Sequence, residues 1–291
     1  MLRLVVPKGS LEKGTFELFE AADLAIQRDS AVNYKAHIDD PRIADVRILR
    51  PQEIPRYVAD GLFDIGIAGR DWIEETASDV VSLGELMYSK VLARPIRIVL
   101  AVANDAPWQS AKDLPNGVRV ATEYMGLTKR FLSAKGVHAT VEHSHGATEA
   151  KVPDIVDAVV ELTETGSALR AAGLKIIDEI LVSHTELMAN KEAYADPEKA
   201  HAMDQILTLL QGTLEARGKV LVKLNVPAAQ LDAVIANLPS MKSPTVSKLF
   251  GEDGFAVEAV VAKDVINTLI PALKDEGATD IIELPLSKII H

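Results

Sequence analysis

The residues that could do chemistry gather where apolar runs stop. The densest group is Thr163-Glu164-Thr165-Gly166-Ser167, which follows an apolar stretch over 158–162 and precedes a helical pattern over 168–172 that Gly173 stops. A strand feeding such a loop into a helix aims backbone N–H groups and the positive end of a helix dipole at one place. The hydroxyls of Thr163, Thr165 and Ser167 add donors. Together they suit an anion the size of a phosphate monoester. The same residues also make an ordinary helix cap, and the pattern alone leaves both open.

Lys8 stands in a second junction, Pro7-Lys8-Gly9-Ser10, after an apolar run over 2–6. Ligands in open α/β sheets bind at such strand ends, although a solvated surface lysine is the plain alternative. At a third junction, the strand pattern over 63–69 closes in small residues, and Gly66 and Gly69 allow a ligand or another backbone to come near. Arg70-Asp71-Trp72 then opens a helix, and Asp71 there could simply cap it, worth about 1 kcal/mol. His143 and His145 lie two apart on a loop with no third ligand at suitable spacing, so they read as polar loop residues rather than a metal site.

The elements that must position these residues alternate. Strand patterns over 2–6, 46–49, 63–69, 96–102, 117–122, 138–141, 158–162 and 180–185 are interleaved with helical patterns over 11–25, 53–60, 127–134 and 197–217. Residues 190–197 read as an exposed charged turn. Strand–helix alternation predicts α/β lobes with mainly parallel sheets. After Gly218 the order changes to strand, helix, two strands, helix, strand, which is ferredoxin-like and predicts a separate domain.

Composition sets the limits. The chain has 291 residues, enough for two or three domains, with 48% hydrophobic and 25% charged residues. A net charge of −11 argues against nonspecific binding to nucleic acid. There is no cysteine, which excludes disulfides and thiolate metal sites. The apolar part of MLRLVVPKGS is too short for a signal peptide and no apolar run reaches membrane-span length, so a cytoplasmic protein without membrane attachment is expected.

Six segments in order carry a resemblance: VVPKGSL (5–11), LRPQEIPRYVADGLFDIGIAGRDW (49–72), ATEY (121–124), GATE (146–149), DAVVELTETGSALRAAGL (157–174) and MKSPTVSKL (241–249). Over essentially its whole length the sequence resembles the long form of the ATP phosphoribosyltransferase family. The resemblance implies an α/β chain with a two-lobed, type II periplasmic-binding-protein-like core and a C-terminal ferredoxin-like (βαββαβ) regulatory domain. Lobe I would comprise 1–95 and 180–212, lobe II 96–179, and the regulatory domain 213–291. The implied enzyme is a pentosyltransferase that condenses ATP with 5-phosphoribosyl 1-pyrophosphate (PRPP), the first step of histidine biosynthesis. Mg2+ would act mainly through the substrate pyrophosphate. L-Histidine would be a feedback inhibitor, AMP a second one, and the homo-oligomer would exchange between dimer and hexamer.

Residue by residue, the resemblance puts Lys8 and Arg50 near the phosphates and Glu161 on the ribose hydroxyls. Glu164, Thr165, Gly166, Ser167, Ala168 and Leu169 would hold the 5′-phosphate. Gly9, Gly69, Asp71 and Glu149 would form the nucleotide pocket, and Asn225 and Thr245 would hold histidine. Many members carry TGxTL in the phosphate loop, whereas Ala168 stands at the second threonine here, so Ser167 is expected to supply the missing hydroxyl. The Glu164 carboxylate is expected to point away from the phosphate. Two other classes share parts of the pattern. A small-anion binding protein would have the same two lobes, but with an export signal; a noncatalytic regulatory subunit would be expected to lose the loop or its neighbours.

Overall fold

Leu2, Leu4, Val5 and Val6 are fully buried, so β1 (Leu2–Pro7) must be covered on both faces. In the computed structural model, residues 1–30, 32–88 and 96–291 are described, and they divide into two units, Met1–Leu207 and Thr208–His291. In the first unit β1 leads to α1 (Glu12–Ala21), whose Thr15, Leu18 and Phe19 turn inward at the helical spacing expected. Then come β2 (Lys35–Ala36), β3 (Ile43–Leu49), α2 (Ile54–Ala59), β4 (Ile65–Gly69), α3 (Arg70–Thr76) and β5 (Val81–Glu85).

Gly66 is needed for packing rather than for a ligand. A Cβ there would stand 2.7 Å from Val58 and 2.9 Å from Val5, so its absence lets α2 press onto β1 and β4.

The second lobe of this unit contains β6 (Ile96–Ala103), β7 (Arg119–Thr122), α4 (Met125–Ala134), β8 (Thr140–His143), β9 (Ala158–Thr163), α5 (Ser167–Ala171) and β10 (Leu174–Ser183). The chain then returns to the first lobe through β11 (Thr185–Ala189), α6 (Lys191–Ala195) and α7 (Pro197–Ala216). Lobe I has the sheet order β2-β3-β1-β4-β11-β5 and lobe II the order β10-β6-β9-β7-β8. This is the two-lobed, periplasmic-binding-protein-like arrangement.

The sheets are mixed, not mainly parallel. β1 runs parallel to β3 and β4, and β7 parallel to β8 and β9, but β2, β5, β6, β10 and β11 all pair antiparallel. β11 arrives from the other lobe one residue after β10, without a helical crossover, and so runs against β4. Residues 180–185, expected as one strand, are divided between the lobes. β10 stays paired with β6 as far as Ser183, and β11 begins opposite Gly69 at Thr185, so His184 alone separates the two sheets. The ladder with β6, irregular between Ile176 and Asp178 and between Glu179 and Leu181, carries β10 as far as Ser183, so the lobe crossover falls at 184 rather than between 179 and 180. Residues 89–95, assigned to lobe I, lie outside the described residues.

The turn expected over 190–197 is a helix. Asn190 accepts a hydrogen bond from the Ala193 amide at 2.9 Å as the N-cap of α6, while its Nδ2 donates to the Val58 carbonyl at 2.9 Å. The first compact unit ends at Leu207, within α7.

The second unit builds β12 (Lys219–Pro227), α8 (Leu231–Asn237), β13 (Thr245–Lys248), β14 (Gly254–Ala262), α9 (Ile266–Asp275) and β15 (Thr279–Pro285). Its sheet order is β13-β14-β12-β15, antiparallel throughout, which is the ferredoxin-like fold. Along β12, Val220, Val222, Leu224 and Val226 enter the core, while Leu221, Lys223 and Asn225 alternate outward. Among the described residues, no helix is long and apolar enough to cross a membrane.

Candidate active site

Two cations emerge together at one edge of the lobe I sheet. β1 and β3 are parallel with Pro7 opposite Leu49, so Lys8 and Arg50 are the next residues of neighbouring strands. The Lys8 amide bonds the Leu49 carbonyl at 2.7 Å, and Lys8 Nζ lies 4.1 Å above the Tyr34 ring. Gly9 has φ +94, a left-handed conformation that glycine adopts freely, and its open side faces the Arg50 guanidinium at 3.6 Å. Glu12 Oε2 accepts from the Gly9 amide at 3.4 Å while its other oxygen pairs with Arg28 at 2.8 Å. On the other side of β1, β4 ends in Gly69 and passes into Asp71 of α3.

In lobe II the ends of parallel β7, β8 and β9 present Glu123, the 144–148 loop and the hydroxyl-rich loop. That last loop is partly self-satisfied. Gly166, at φ +71, donates its N–H to Thr163 Oγ1 at 2.8 Å, so neither this amide nor the Thr163 lone pair it occupies faces a ligand. Ser167 N–H turns to Thr165 Oγ1 at 3.3 Å, and the Thr165 hydroxyl contacts Ser167 Oγ at 3.0 Å. The amides of Ala168 and Leu169 precede the first helical bond, from Arg170 N–H to Gly166 O at 3.0 Å. Thr165, Ser167 and Ala168 are exposed, whereas Leu169 is buried. Burying that leucine is worth about 1.5–3 kcal/mol and pins the helix against the sheet. Arg170 also donates to the Thr165 carbonyl at 2.9 Å, bracing the loop from behind.

Glu161 lies just before this loop, half-buried. Burial pushes its carboxyl above the usual range, and the charges of Glu123 and Glu149 push the same way; hydrogen bonds from Thr148 and the Leu162 amide oppose them. Glu149 is half-buried in the short 3-10 turn Thr148–Lys151, and Glu164 is likewise half-buried.

Asp71 is placed between the lobes. It is 5% exposed, and both carboxylate oxygens are engaged, Oδ1 by Ser183 Oγ at 2.7 Å and Oδ2 by the Tyr124 hydroxyl at 2.9 Å. Asp71 does not cap α3 with its side chain; its own amide donates to Ser183 Oγ at 3.0 Å. A Cβ on Gly69 would overlap the Asp71 carboxylate, which explains the glycine. Nearby, Glu75 of α3 accepts from the Gly126 and Leu127 amides at 2.9 and 2.8 Å, capping α4 of the opposite lobe. Sequence reasoning missed Tyr124, Ser183 and Glu75 as functional neighbours. Tyr124 ends the ATEY segment and offered a signal, but nothing local marks Ser183.

In the second unit Thr245 and Asn225 are not brought into one pocket. Both face outward on the same side of the sheet, but β14 runs between their strands. Thr245 lines a concavity of about 150 Å³ with Lys242, Ser243 and Glu258, while Asn225 instead donates to Asp280 at 3.0 Å. The His143 and His145 rings lie with centroids 4.5 Å apart, tilted by 56°, and no group of three His, Cys, Asp or Glu is arranged to hold a metal among the described residues.

The comparisons with known proteins agree in direction. Residues 50–212 match the family model described as HisG, ATP phosphoribosyltransferase, and 216–288 match that of the HisG C-terminal domain. The chain is 50% identical to an ATP phosphoribosyltransferase of Desulforudis audaxviator, covering 99% of each, and 49% identical to one of Pelotomaculum thermopropionicum, also covering 99% of each. Among solved structures it is similar to a chain of the ATP phosphoribosyl transferase (HisG:HisZ) complex from Thermotoga maritima. That match has 26% identity and a TM-score of 0.62, over 74% of this chain and 99% of that one.

Proposed function

Because this chain belongs to the ATP phosphoribosyltransferase family, we propose that it joins N1 of the adenine of ATP to C1 of PRPP. The products are N1-(5-phosphoribosyl)-ATP and pyrophosphate, in the first step of histidine biosynthesis. The observation that carries this reading is the pairing of Lys8 and Arg50 at one sheet edge, in a core whose other lobe ends in a hydroxyl-rich loop.

In the displacement, the bond from C1 to the pyrophosphate oxygen breaks as the bond to adenine N1 forms. Positive charge builds on the ribose and negative charge on the leaving group. Lys8 and Arg50 meet the negative charge with fixed cations, an arrangement that acts most strongly in the transition state. The Ala168 and Leu169 amides, with the Thr165 and Ser167 hydroxyls, hold the 5′-phosphate, and Glu164 contributes backbone to that loop. Glu161 accepts hydrogen bonds from the ribose hydroxyls and favours the cationic ring. Gly9, Gly69 and Glu149 border the nucleotide, and Asp71 serves it indirectly by holding Tyr124 and Ser183. Adenine N1 is a weak nucleophile, so most of the acceleration comes from alignment.

Mg2+ would enter bound to the pyrophosphate, neutralising part of its charge. No three candidate ligands are grouped for a metal among the described residues, so most of the ion's ligands would come from the pyrophosphate and water. Charge neutralisation by the chain itself rests on Lys8 and Arg50.

Histidine, as feedback inhibitor, would occupy the second unit around Thr245, where Glu258 can accept from its ammonium and Lys242 and Ser243 can donate to its carboxylate. Asn225 then acts at a distance, through Asp280. AMP would compete in the nucleotide pocket, and histidine would act through linked states of a dimer and hexamer.

The test is an assay of the purified protein with ATP, PRPP and magnesium, following the adduct with and without histidine. Adduct formation that histidine suppresses is expected, and Lys8→Met or Arg50→Met should each lower kcat about 100-fold. Absence of adduct while both substrates still bind would overturn the catalytic reading.

A further inference from the structure

Glu75 stands in the last turn of α3, where the negative end of its own helix disfavours a carboxylate. Its partners belong to the other lobe. Oε1 accepts from the Gly126 amide at 2.9 Å and Oε2 from the Leu127 amide at 2.8 Å. α4 has no side-chain cap of its own, so this carboxylate from lobe I satisfies two of the amides that open it. The approach is close enough to need glycine: a Cβ on Gly126 would stand 2.6 Å from the Glu75 carbonyl oxygen. Gly126 lies inside α4 with ordinary helical backbone, a place where alanine would serve the helix better. Arg130, one turn further along α4, donates back to the Glu74 carbonyl. α3 is thus held across the lobes at both of its ends. In its first turn the Arg70 amide bonds the His184 carbonyl at 2.8 Å, where β10 passes into β11, and Asp71 accepts from Ser183 and Tyr124. Glu75 lies about 6 Å further along the helix axis. One attachment would let a lobe swing about it; two spaced attachments fix the angle.

We propose that Glu75 is a positioning residue for the phosphoribosyl transfer. Its two-pronged hold on the start of α4 sets the angle between the lobes, and with it the distance from the Lys8 and Arg50 pair to the 5′-phosphate loop. The proposal rests on the reading of those two groups given above. PRPP must span them, because its pyrophosphate and its 5′-phosphate leave opposite ends of the ribose. The path from Glu75 is short. α4 continues directly from β7, and the neighbouring parallel strand β9 runs into the phosphate loop. Glu75 therefore acts on alignment without touching substrate, and a misplacement of about 1 Å can cost about 100-fold in rate. A fragment held by one lobe alone escapes that penalty.

Ribose 5-phosphate is such a fragment, and it separates misalignment from damage to lobe II. Glu75→Ala should lower kcat/KM for PRPP about 10- to 100-fold. The dissociation constant of ribose 5-phosphate, measured by calorimetry on the purified protein, should stay within about twofold. Proportional loss of both would mean that the variant damages lobe II itself, and would overturn the proposal. Gly126→Ala keeps the carboxylate and favours the helix, yet forces α3 and α4 apart. It should reproduce the same split, and it keeps the idea testable if Glu75→Ala does not fold. Glu75→Gln, which retains one acceptor oxygen, should recover part of the loss. If Glu75→Ala and Gly126→Ala both turn over PRPP as the unmodified protein does, the junction is overturned, and Lys8, Arg50 and the loop keep their roles. If the unmodified protein forms no adduct, or does not bind ribose 5-phosphate, those roles fall and the proposal falls with them.

Discussion

The Tyr124 hydroxyl donates to Asp71 Oδ2 at 2.9 Å, joining the end of β7 in one lobe to the first turn of α3 in the other. With Ser183 on the remaining oxygen, a carboxylate only 5% exposed has a donor for each oxygen, as a buried charge requires. Burial and the Asp71 charge push the Tyr124 hydroxyl far above its usual range, so it remains a donor throughout the working pH range. Its ring also lies 4.8 Å from that of Trp72.

Removing one donor should therefore be costly. Tyr124→Phe leaves Oδ2 buried without a partner and should lower stability by about 1–3 kcal/mol in denaturant titration. Ser183→Ala should cost a similar amount. The double variant should cost less than the sum, because both act on one carboxylate.

Gly166→Ala meets two obstacles, a backbone at φ +71 and the Arg170 guanidinium 2.9 Å from the new Cβ. The backbone conformation alone should cost about 1–2 kcal/mol. Since Arg170 braces the Thr165 carbonyl, KM for PRPP should rise about tenfold or more, with KM for ATP nearly unchanged. An equal rise in both constants would place the loop away from the 5′-phosphate.

Asp64 sits under Arg3 and Lys199, both within 3.0 Å, and is 2% exposed. Against the cost of burial, these partners bring its pKa from 3.8 to about 2. A depressed carboxyl pKa contributes stability that is present above the unfolded value and lost as pH falls through the folded one. Unfolding followed from pH 5 to pH 2 should show this loss, and Asp64→Asn should flatten it while lowering stability at pH 7.

Glu161 titrates in the opposite sense. Its carboxyl is raised, so the ionised form that would accept the ribose hydroxyls is lost at a pH above the ordinary glutamate value as solution is acidified. The acid limb of kcat/KM for PRPP should lie there. Glu123→Gln removes one like charge and should move the limb downward; no movement would separate Glu161 from that limb.

Thr245→Ala should weaken histidine inhibition about tenfold while leaving turnover without histidine unchanged, because Thr245 lies in the second unit and lines its concavity. Asn225→Ala should have the smaller effect, since its amide is engaged with Asp280. Inhibition curves for the two variants decide between a site centred on the concavity and one spread over both residues.

Local pattern alone determined much of this protein. The 3.6-residue spacing of Thr15, Leu18 and Phe19 marked α1, and the alternation along β12 and β14 marked the ferredoxin-like unit. The apolar run ahead of Thr163-Glu164-Thr165-Gly166-Ser167 likewise marked a strand, loop and helix. Such signals survive because they depend on neighbours a few residues away. Strand direction does not: β6 and β11, which belong to the lobe opposite the strand before them, run against their neighbours, and β2 runs against β3. Asn190 was legible as polar, but its double role as cap and donor to Val58 needed α2 beside it. Only the tertiary structure decided what Asp71 does. Its partners Tyr124 and Ser183 lie 53 and 112 residues along the chain, and no periodicity records a hydrogen bond across that distance.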